Sequence, residues 1–161
     1  SESEADAQTM LTMLQMNQLF VTEGNGVEPT RLVAEILDSR KTELARVAAV
    51  DDLVVSDSLA ALIIAQISEN PGLAPVFEDL FDADGSEIYL KPVSHYVKAG
   101  SPVNFYTVVE SAKQKGEIAI GYRIQKDAFD SSKAYGVKVN PNKSEKITYS
   151  NEDKIIVIAE D

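Results

Sequence analysis

The chain has 161 residues, of which 44% are hydrophobic and 25% charged, the balance of a folded protein with one or two small domains. Acidic residues outnumber basic ones by 26 to 15, and a net charge of −11 argues against nucleic-acid binding because phosphates would repel it. The absence of cysteine excludes disulfides, thiolate zinc sites and cysteine nucleophiles. The longest apolar run has seven residues. Since about 20 are needed to span a bilayer, we expect no direct membrane insertion.

The first half of the chain predicts alternating helices and strands. Apolar residues at three- and four-residue spacings predict an amphipathic helix that ends before Gly24. Two short apolar runs, residues 32–37 and 53–55, predict strands that are buried on both faces, each followed by a helix. This order is typical of parallel strands with helices packed against them, so the fold class is predicted to be α/β.

Acidic residues follow both predicted strands. Glu35 and Asp38 lie at the end of the first strand and Asp57 at the end of the second. Ligands of open α/β sheets bind outside the carboxyl ends of the strands, so we predict a ligand site here for a ribose hydroxyl or a cation. Asp38 or Ser39, and Asp57 or Ser58, also fit an ordinary structural role as helix caps.

The helix predicted over residues 58–70 has no polar face through its middle. One side can pack on the sheet, and the other requires a second apolar partner, which predicts a subunit or domain interface. Pro71 is suited to begin a further helix. The predicted interface residues on the two helices are Leu59, Leu62, Ile63, Ile67, Val76, Phe77 and Leu80.

The pattern changes after a turn at residues 82–86. A strand is predicted over 87–90, stopped by Pro92, and a helix over 102–115. Four short apolar runs separated by polar turns then predict further strands, at residues 118–123, 136–139, 147–149 and 155–158. The second half is therefore predicted to be a small α+β unit.

The sequence offers little for catalysis. The single histidine, His95, has no evident nucleophile or acid around it, and we predict no catalytic residue. Gly24-Asn25-Gly26 lacks the third glycine of a dinucleotide fingerprint and follows no strand, so it predicts a surface loop.

The turn after the second predicted interface helix is rich in carboxylates. Asp82, Asp84 and Glu87 belong to the densest local set of oxygen ligands in the chain, which suggests weak calcium binding. An EF-hand is excluded because Leu80 and Lys91 occupy its first and twelfth positions, where carboxylates are required. The favoured interpretation is nevertheless a solvated turn between domains, and calcium binding is the alternative.

Four stretches of the chain resemble the cytosolic portion of the CASTOR/Pollux-type ion-channel family and its bacterial relatives. They are residues 33–38 (VAEILD), 54–59 with 65–67 (VVSDSL and AQI), 80–89 (LFDADGSEIY) and 116–123 (GEIAIGYR). The closing residues 151–159 are similar to the last strand of many domains that regulate potassium conductance, called RCK domains.

The resemblance implies the second half of a Rossmann-like parallel sheet over residues 1–70, a crossover helix and linker over 71–84, and a small RCK C-terminal-type α+β lobe over 85–161. It also implies that the glycine-rich half of the Rossmann-like lobe is missing, so that any nucleotide site here is incomplete. The chain would be the cytoplasmic portion of a membrane protein. We expect a homo-oligomer, a dimer or larger ring, that couples ligand or ion binding to a membrane pore of the parent chain.

Two other functions remain open at this stage. A fragment of a NAD-dependent dehydrogenase would carry its glycine fingerprint upstream and a catalytic His or Lys in the second lobe. A dimerisation domain without a ligand would use the apolar helix alone. We expect a regulatory module that is not an enzyme, with an unknown cofactor for which calcium is the first candidate.

Overall fold

The structure is a computed structural model that describes residues 2–22, 32–47, 52–82, 84–128 and 130–160. The chain divides into two compact units, Ser1–Leu73 and Ala74–Asp161. Gly24-Asn25-Gly26, predicted to be a loop, lies outside the described residues. No helix of the described ranges is long and apolar enough to cross a membrane.

The first unit alternates helices and strands as the sequence predicts. Its elements are α1 (Glu2–Thr22), β1 (Val33–Ile36), a 3-10 turn (Ser39–Lys41), α2 (Thr42–Val47), β2 (Asp52–Val55), α3 (Ser56–Glu69) and a 3-10 turn (Pro71–Leu73). Strands β1 and β2 pair in parallel, with Glu35 opposite Val54 and Ile36 opposite Val55. The alternation follows from short apolar runs that end at polar residues, after which the chain turns into a helix.

The prediction that both strands are buried on both faces is wrong. Ile36 is fully buried, but Val33 is 62% exposed and Val54 40% exposed. Within the described residues, β1 and β2 form a sheet of only two strands, and so small a sheet cannot enclose both of its faces. The fold is confirmed at the level of mixed helices and strands with one parallel pair among the described strands.

Helix α3 begins without a side-chain cap. It starts at Ser56, and the residue before it, Val55, has an extended backbone and no side chain that can accept a hydrogen bond. The prediction that Asp57 or Ser58 caps this helix is therefore wrong. Asp57 instead lies in the first turn, where the helix dipole favours a negative charge.

The second unit contains a mainly antiparallel sheet. Its elements are α4 (Ala74–Phe81), β3 (Glu87–Pro92), β4 (Pro102–Asn104), α5 (Phe105–Lys113), β5 (Ile118–Arg123), β6 (Val137–Val139), β7 (Lys146–Thr148) and β8 (Lys154–Ala159), with 3-10 turns at Val93–His95, Gln125–Asp127 and Ser131–Gly136. The strand order is β3-β8-β5-β6, and β4 pairs with β7 in a separate ribbon.

Helix α5 closes one face of the four-stranded sheet. Phe105, Val108 and Ala112 of α5 are buried in one cluster with Ile155 and Val157 of β8. Three residues of α5 spaced by three and four positions present a single apolar stripe, which matches the alternate residues of β8. This cluster is the core of the second unit.

Two boundaries in this unit differ from the sequence prediction. The helix predicted from residue 102 begins at Phe105, because residues 102–104 form strand β4 and Asn104 caps the helix by accepting a 3.0 Å hydrogen bond from the Thr107 backbone N–H. Strand β3 continues through Pro92 instead of stopping before it. Proline is tolerated here because β3 is an edge strand of the described sheet.

Candidate functional site

The candidate site lies at the carboxyl end of β1, where a buried aspartate anchors the backbone. Asp6 of α1 is 1% exposed, and its Oδ1 accepts a 2.8 Å hydrogen bond from the Leu37 N–H. Its Oδ2 accepts from the Asp38 N–H at 3.2 Å and from Lys41 Nζ at 3.0 Å. The Leu37 hydrogen bond is the main reason that the pKa of Asp6 lies below its usual value, although burial opposes it. Asp6 therefore fixes α1 to the end of the strand.

Glu35 and Ser56 connect the two parallel strands at this edge. Glu35 lies one residue before the end of β1, and Ser56 follows directly after β2. The Ser56 hydroxyl donates a hydrogen bond to Glu35 Oε1. This contact brings the start of α3 beside the carboxylate of Glu35.

Asp38 and Arg40 form a bidentate pair on the surface of the same edge. Asp38 accepts from Arg40 Nε at 2.9 Å and from Arg40 Nη2 at 2.8 Å, and it also caps the 3-10 turn through the Arg40 N–H at 3.0 Å. The prediction that Asp38 is a cap is confirmed for this turn. The hydrogen bonds from Arg40 lower the pKa of Asp38 to about 2. The hydrogen bond to Asp38 is the main reason that the pKa of Arg40 is raised, and the negative charge of Asp57 raises it further.

A surface hollow of about 650 Å³ adjoins this edge. It is lined by α1 and β1, with polar groups from Asp6, Gln8, Thr9, Thr12 and Glu35 beside apolar side chains. Its oxygen atoms can accept hydrogen bonds from hydroxyl or amine groups. Because Asp6 and Glu35 already bind neighbours, a ligand in the hollow would have to share or displace those contacts.

The comparison with curated proteins matches most of the chain to plant ion channels. "Probable ion channel POLLUX" of Arabidopsis thaliana is 32% identical over 129 residues, which is 80% of this chain and 15% of that protein. "Ion channel CASTOR" of Lotus japonicus is 30% identical over 134 residues, 83% of this chain and 15% of that protein. "Probable ion channel CASTOR" of Oryza sativa subsp. japonica is 32% identical over 130 residues, 80% and 14% of the two chains.

The chain is similar to one segment of the CASTOR and POLLUX ion channels over about four fifths of its own length. The resemblance predicted from residues 33–38, 54–59 with 65–67, 80–89 and 116–123 is thereby confirmed. The chain spans about one seventh of the length of the curated relatives it matches. No model of a protein family matches it.

Two solved structures resemble the chain at low similarity. The GsuK RCK domain has a TM-score of 0.36 and 15% identity, covering 96% of this chain and 28% of that one. The GsuK channel bound to NAD has a TM-score of 0.38 and 14% identity, covering 95% and 23%.

The structure places the three predicted ligand-binding acids at one edge of the first unit. The Ser56 hydroxyl binds Glu35 at the start of α3, and Asp57 is the next residue of that helix. Arg40 forms an ion pair with Asp38 and also feels the negative charge of Asp57. Their proximity follows from the parallel register, because the carboxyl ends of parallel strands meet at the same side of a sheet. That they bind a ligand stays a prediction.

The predicted calcium ligands do not converge. Asp82 Oδ1 accepts from the Asp84 N–H at 3.1 Å, an ordinary turn contact, and Glu87 Oε2 accepts from the Tyr89 hydroxyl at 2.6 Å. Across the described ranges, no group of three or more His, Asp or Glu side chains is arranged to hold a metal ion. The local structure offers the calcium prediction no support, and it stays a prediction.

The predicted interface residues are exposed or half-buried. Helix α3 contains no buried residue, and Leu62 is 63% exposed, Ile64 64% and Leu59 47%. Helix α4 also contains none, and Val76 is about half exposed. Ile63, Ile67, Phe77 and Leu80 are partly buried. These helices thus present apolar side chains that the described residues leave accessible.

Sequence reasoning missed three polar anchors. Asp6 lies near the start of α1, where the helix dipole favours a negative charge, and its hydrogen-bond partners lie more than 30 residues further along the chain. Glu117 accepts from Lys91 Nζ at 2.9 Å and from the Tyr96 hydroxyl. Burial raises the pKa of Glu117, but these two hydrogen bonds outweigh it and the net pKa is lowered.

Asp153 is buried and accepts from the Gln125 and Ser150 N–H groups at 2.8 and 2.7 Å. Apart from the Ser150–Asp153 contact, which spans three residues, these contacts join distant parts of the sequence and no local pattern could have indicated them.

Proposed function

We propose that the chain is an RCK-type regulatory module of a cation channel, cytoplasmic and part of a larger membrane protein. The observation that supports this best is the sequence match to one segment of the CASTOR and POLLUX ion channels over about four fifths of the chain. The proposal assigns the chain no catalytic residue. Its role is to couple ligand binding and subunit assembly to the opening of a pore.

In this proposal, residues 1–70 are the second half of a Rossmann-like lobe. The parallel β1–β2 pair with α1, α2 and α3 has the βαβ order that such a lobe requires. Residues 71–84 form the crossover helix and linker, and residues 85–161 form the C-terminal-type lobe. A nucleotide site completed by preceding residues of the parent protein would use the acidic edge at Glu35, Asp38 and Asp57.

The apolar surface of α3 supports assembly into a homo-oligomer. A solvated helix normally shows a polar face, yet seven consecutive residues of α3, 59–65, are apolar. Fully burying a leucine or isoleucine side chain stabilises an assembly by about 1.5–3 kcal/mol. Several such residues on one helix make association the expected state, and a dimer is the smallest unit of a ring.

Analytical ultracentrifugation across a wide concentration range tests the assembly. The double variant Leu59→Asp/Leu62→Asp, at two exposed residues of the predicted interface, is expected to shift the chain to monomer, since a central interface residue contributes about 2 kcal/mol or more. Ser68→Asp, at an exposed polar position on the opposite side of the same helix, is the matched control and is expected to assemble as the wild type does. A wild-type chain that is monomeric at all concentrations would contradict the assembly.

Isothermal titration calorimetry with calcium chloride and with NAD tests the sensing role. A heat of binding that disappears in Glu35→Gln/Asp57→Asn would place the ligand at the edge of the first unit. Loss in Asp82→Asn/Asp84→Asn instead would place it at the acidic turn. If neither calcium nor NAD gives a heat of binding, the sensing role is contradicted and only the role in assembly is left.

A further inference from the structure

Two basic residues lie side by side on the four-stranded sheet, on the face that points away from α5. The antiparallel register places Arg123 of β5 directly opposite Lys154 of β8. Tyr122 and Ile155, their neighbours along the two strands, point to the other face and pack in the core beneath α5. Opposite residues of an antiparallel pair have Cβ atoms about 4.5–5.5 Å apart, so the two side chains begin as close neighbours. We call Arg123 and Lys154 the basic pair.

The basic pair has no counter-charge in the described part of the chain. Neither side chain forms an ion pair with a described residue. The carboxylate next to it in the sequence, Asp153, is buried and accepts hydrogen bonds from the Gln125 and Ser150 N–H groups instead. Pro92 and Val137, which flank the pair on β3 and β6, carry no charge. Like charges placed directly opposite each other destabilise paired strands, so this arrangement favours binding of an anion.

Arg123 gives the clearest sign that a partner belongs here. Its Nε atom is buried and has no hydrogen-bond partner among the described residues, although the residue as a whole is only half-buried. A buried N–H group without an acceptor costs free energy, because it has lost its bond to water. The N–H groups of a guanidinium form a planar fork that matches two oxygen atoms of one oxyanion. An oxyanion shared by Arg123 and Lys154 would satisfy the buried donor and neutralise the repulsion between the two cations.

The surroundings of the basic pair select the kind of anion. Two adjacent positive charges attract a dianion more strongly than a monoanion, and a phosphate group carries a charge of about −1.5 to −2 near pH 7. The same face continues beside the pair into the apolar side chains of Val137, Leu90 and Val139, which are 38%, 48% and 57% exposed. A phosphate group attached to an apolar body could contact these side chains as well.

We propose that Arg123 and Lys154 form a binding site for a phosphate group, carried either by free phosphate or by a phosphate monoester with an apolar body. The Arg123 fork binds two of its oxygen atoms, and Lys154 supplies the second positive charge. The site lies in the second unit and uses none of the acids at the edge of the first unit. It therefore goes beyond the proposed function and gives the module a second, anionic ligand.

Isothermal titration calorimetry with potassium phosphate tests the site in the whole chain, at constant ionic strength set with potassium chloride. We expect saturable binding in the wild type. Arg123→Gln and Lys154→Gln are each expected to raise the phosphate dissociation constant by about 10- to 100-fold, the loss of a charge-assisted hydrogen bond. Lys138→Gln is the control, because Lys138 is exposed and lies opposite Tyr122, on the other face of the sheet. Equal losses in all three variants, or no loss in the basic pair variants, would overturn the inference.

Two further measurements separate a built site from general charge attraction and from misfolding. Arg123→Lys keeps the charge but removes the fork, and we expect it to bind phosphate about as weakly as Arg123→Gln. Wild-type affinity in Arg123→Lys would contradict the site. Lys154→Gln relieves the repulsion within the basic pair, so we expect a higher Tm than the wild type in chloride and a smaller increase on adding phosphate. A misfolded variant would not show the higher Tm, and an undiminished phosphate effect in Lys154→Gln would also contradict the site.

Comparison of three anions identifies the source of the phosphate group. Tighter binding of n-butyl phosphate than of inorganic phosphate would support a monoester with an apolar body, and equal binding would support free phosphate. Acetate is expected to bind more weakly than both, and equal affinity for acetate would contradict a site for a dianion. If neither inorganic phosphate nor n-butyl phosphate shows saturable binding, the inference is wrong. The assembly and the acidic edge of the first unit would be unaffected, since neither involves the basic pair.

Discussion

Asp6 Oδ2 and Lys41 Nζ lie 3.0 Å apart, with the aspartate buried and the lysine largely so. The same carboxylate accepts two backbone N–H groups just after β1. A buried charge is tolerated when each of its oxygens is bonded, and here the bonds come from three residues of one turn. The pair therefore joins α1 to the edge of the sheet that carries the predicted ligand-binding acids.

We expect Asp6→Ala to destabilise the first unit more than Lys41→Met does. Lys41→Met removes one of three hydrogen bonds, whereas Asp6→Ala also leaves the Leu37 and Asp38 N–H groups without their acceptor. Urea unfolding followed by far-UV circular dichroism measures the two midpoints. Equal midpoints for the two variants would show that the backbone contacts contribute nothing.

The Asp38–Arg40 pair predicts a defined acid sensitivity. Because Arg40 lowers the pKa of Asp38 from 3.8 to about 2, the stability that the pair contributes is present above pH 3.8 and is lost as the pH falls toward 2. Arg40→Met is expected to return the pKa of Asp38 toward 3.8, measured by carboxyl-carbon NMR titration. Lys133→Met, which breaks the Lys133–Asp127 ion pair in the other unit, is the control and should leave Asp38 unchanged. A pKa of Asp38 near 3.8 in the wild type would disprove the pairing in solution.

Elements with strong local patterns could be predicted from the sequence. Strands β5 and β8 were predicted nearly to the residue because each is an apolar run between polar turns, and α3 was predicted from its seven apolar residues. Strand β4 was missed because its three residues form a strand only by pairing with β7, more than 40 residues further along the chain. Local propensity contains no information about such a partner.

In the candidate site, too, only the features with a local sequence pattern could be predicted. The acidic edge at Glu35, Asp38 and Asp57 could be placed because strand ends are visible in the sequence. The contribution of Asp6 could not, since a carboxylate in the first turns of a helix has an adequate local explanation in the helix dipole. The burial of both strand faces was predicted wrongly because the number of strands in a sheet is not a local property.

Gly121 allows β5 and β6 to approach closely. A Cβ atom at this position would lie 2.3 Å from the Lys138 carbonyl oxygen and 3.0 Å from Val139 Cα, both on the paired strand β6. We expect Gly121→Ala to lower the free energy of unfolding of the second unit by about 1–3 kcal/mol, the usual cost of overpacking. Gly85→Ala is the control, because a Cβ there meets no atom within 4 Å. Chemical denaturation of both variants measures the difference. Equal stabilities would mean that β5 and β6 move apart to accommodate the added methyl group without losing stability.

Tyr149 provides the opposite case, a polar group that the core does not use. Its side chain is 1% exposed, it packs edge-on against the Tyr122 ring with 5.6 Å between centroids, and its hydroxyl has no hydrogen-bond partner in the described part of the chain. A buried hydroxyl without a partner costs free energy, and the ring contact does not depend on it. We therefore expect Tyr149→Phe to leave the free energy of unfolding unchanged or to raise it by up to about 1 kcal/mol.

The matched control is Tyr106→Phe, at an exposed tyrosine of α5 whose hydroxyl is accessible to water. Thermal unfolding of both variants and the wild type gives the comparison. A loss of stability confined to Tyr149→Phe would show that the hydroxyl binds an internal water or a neighbouring acceptor in solution. A gain confined to Tyr149→Phe would show that the buried hydroxyl lowers the stability of this unit because it has no hydrogen-bond partner.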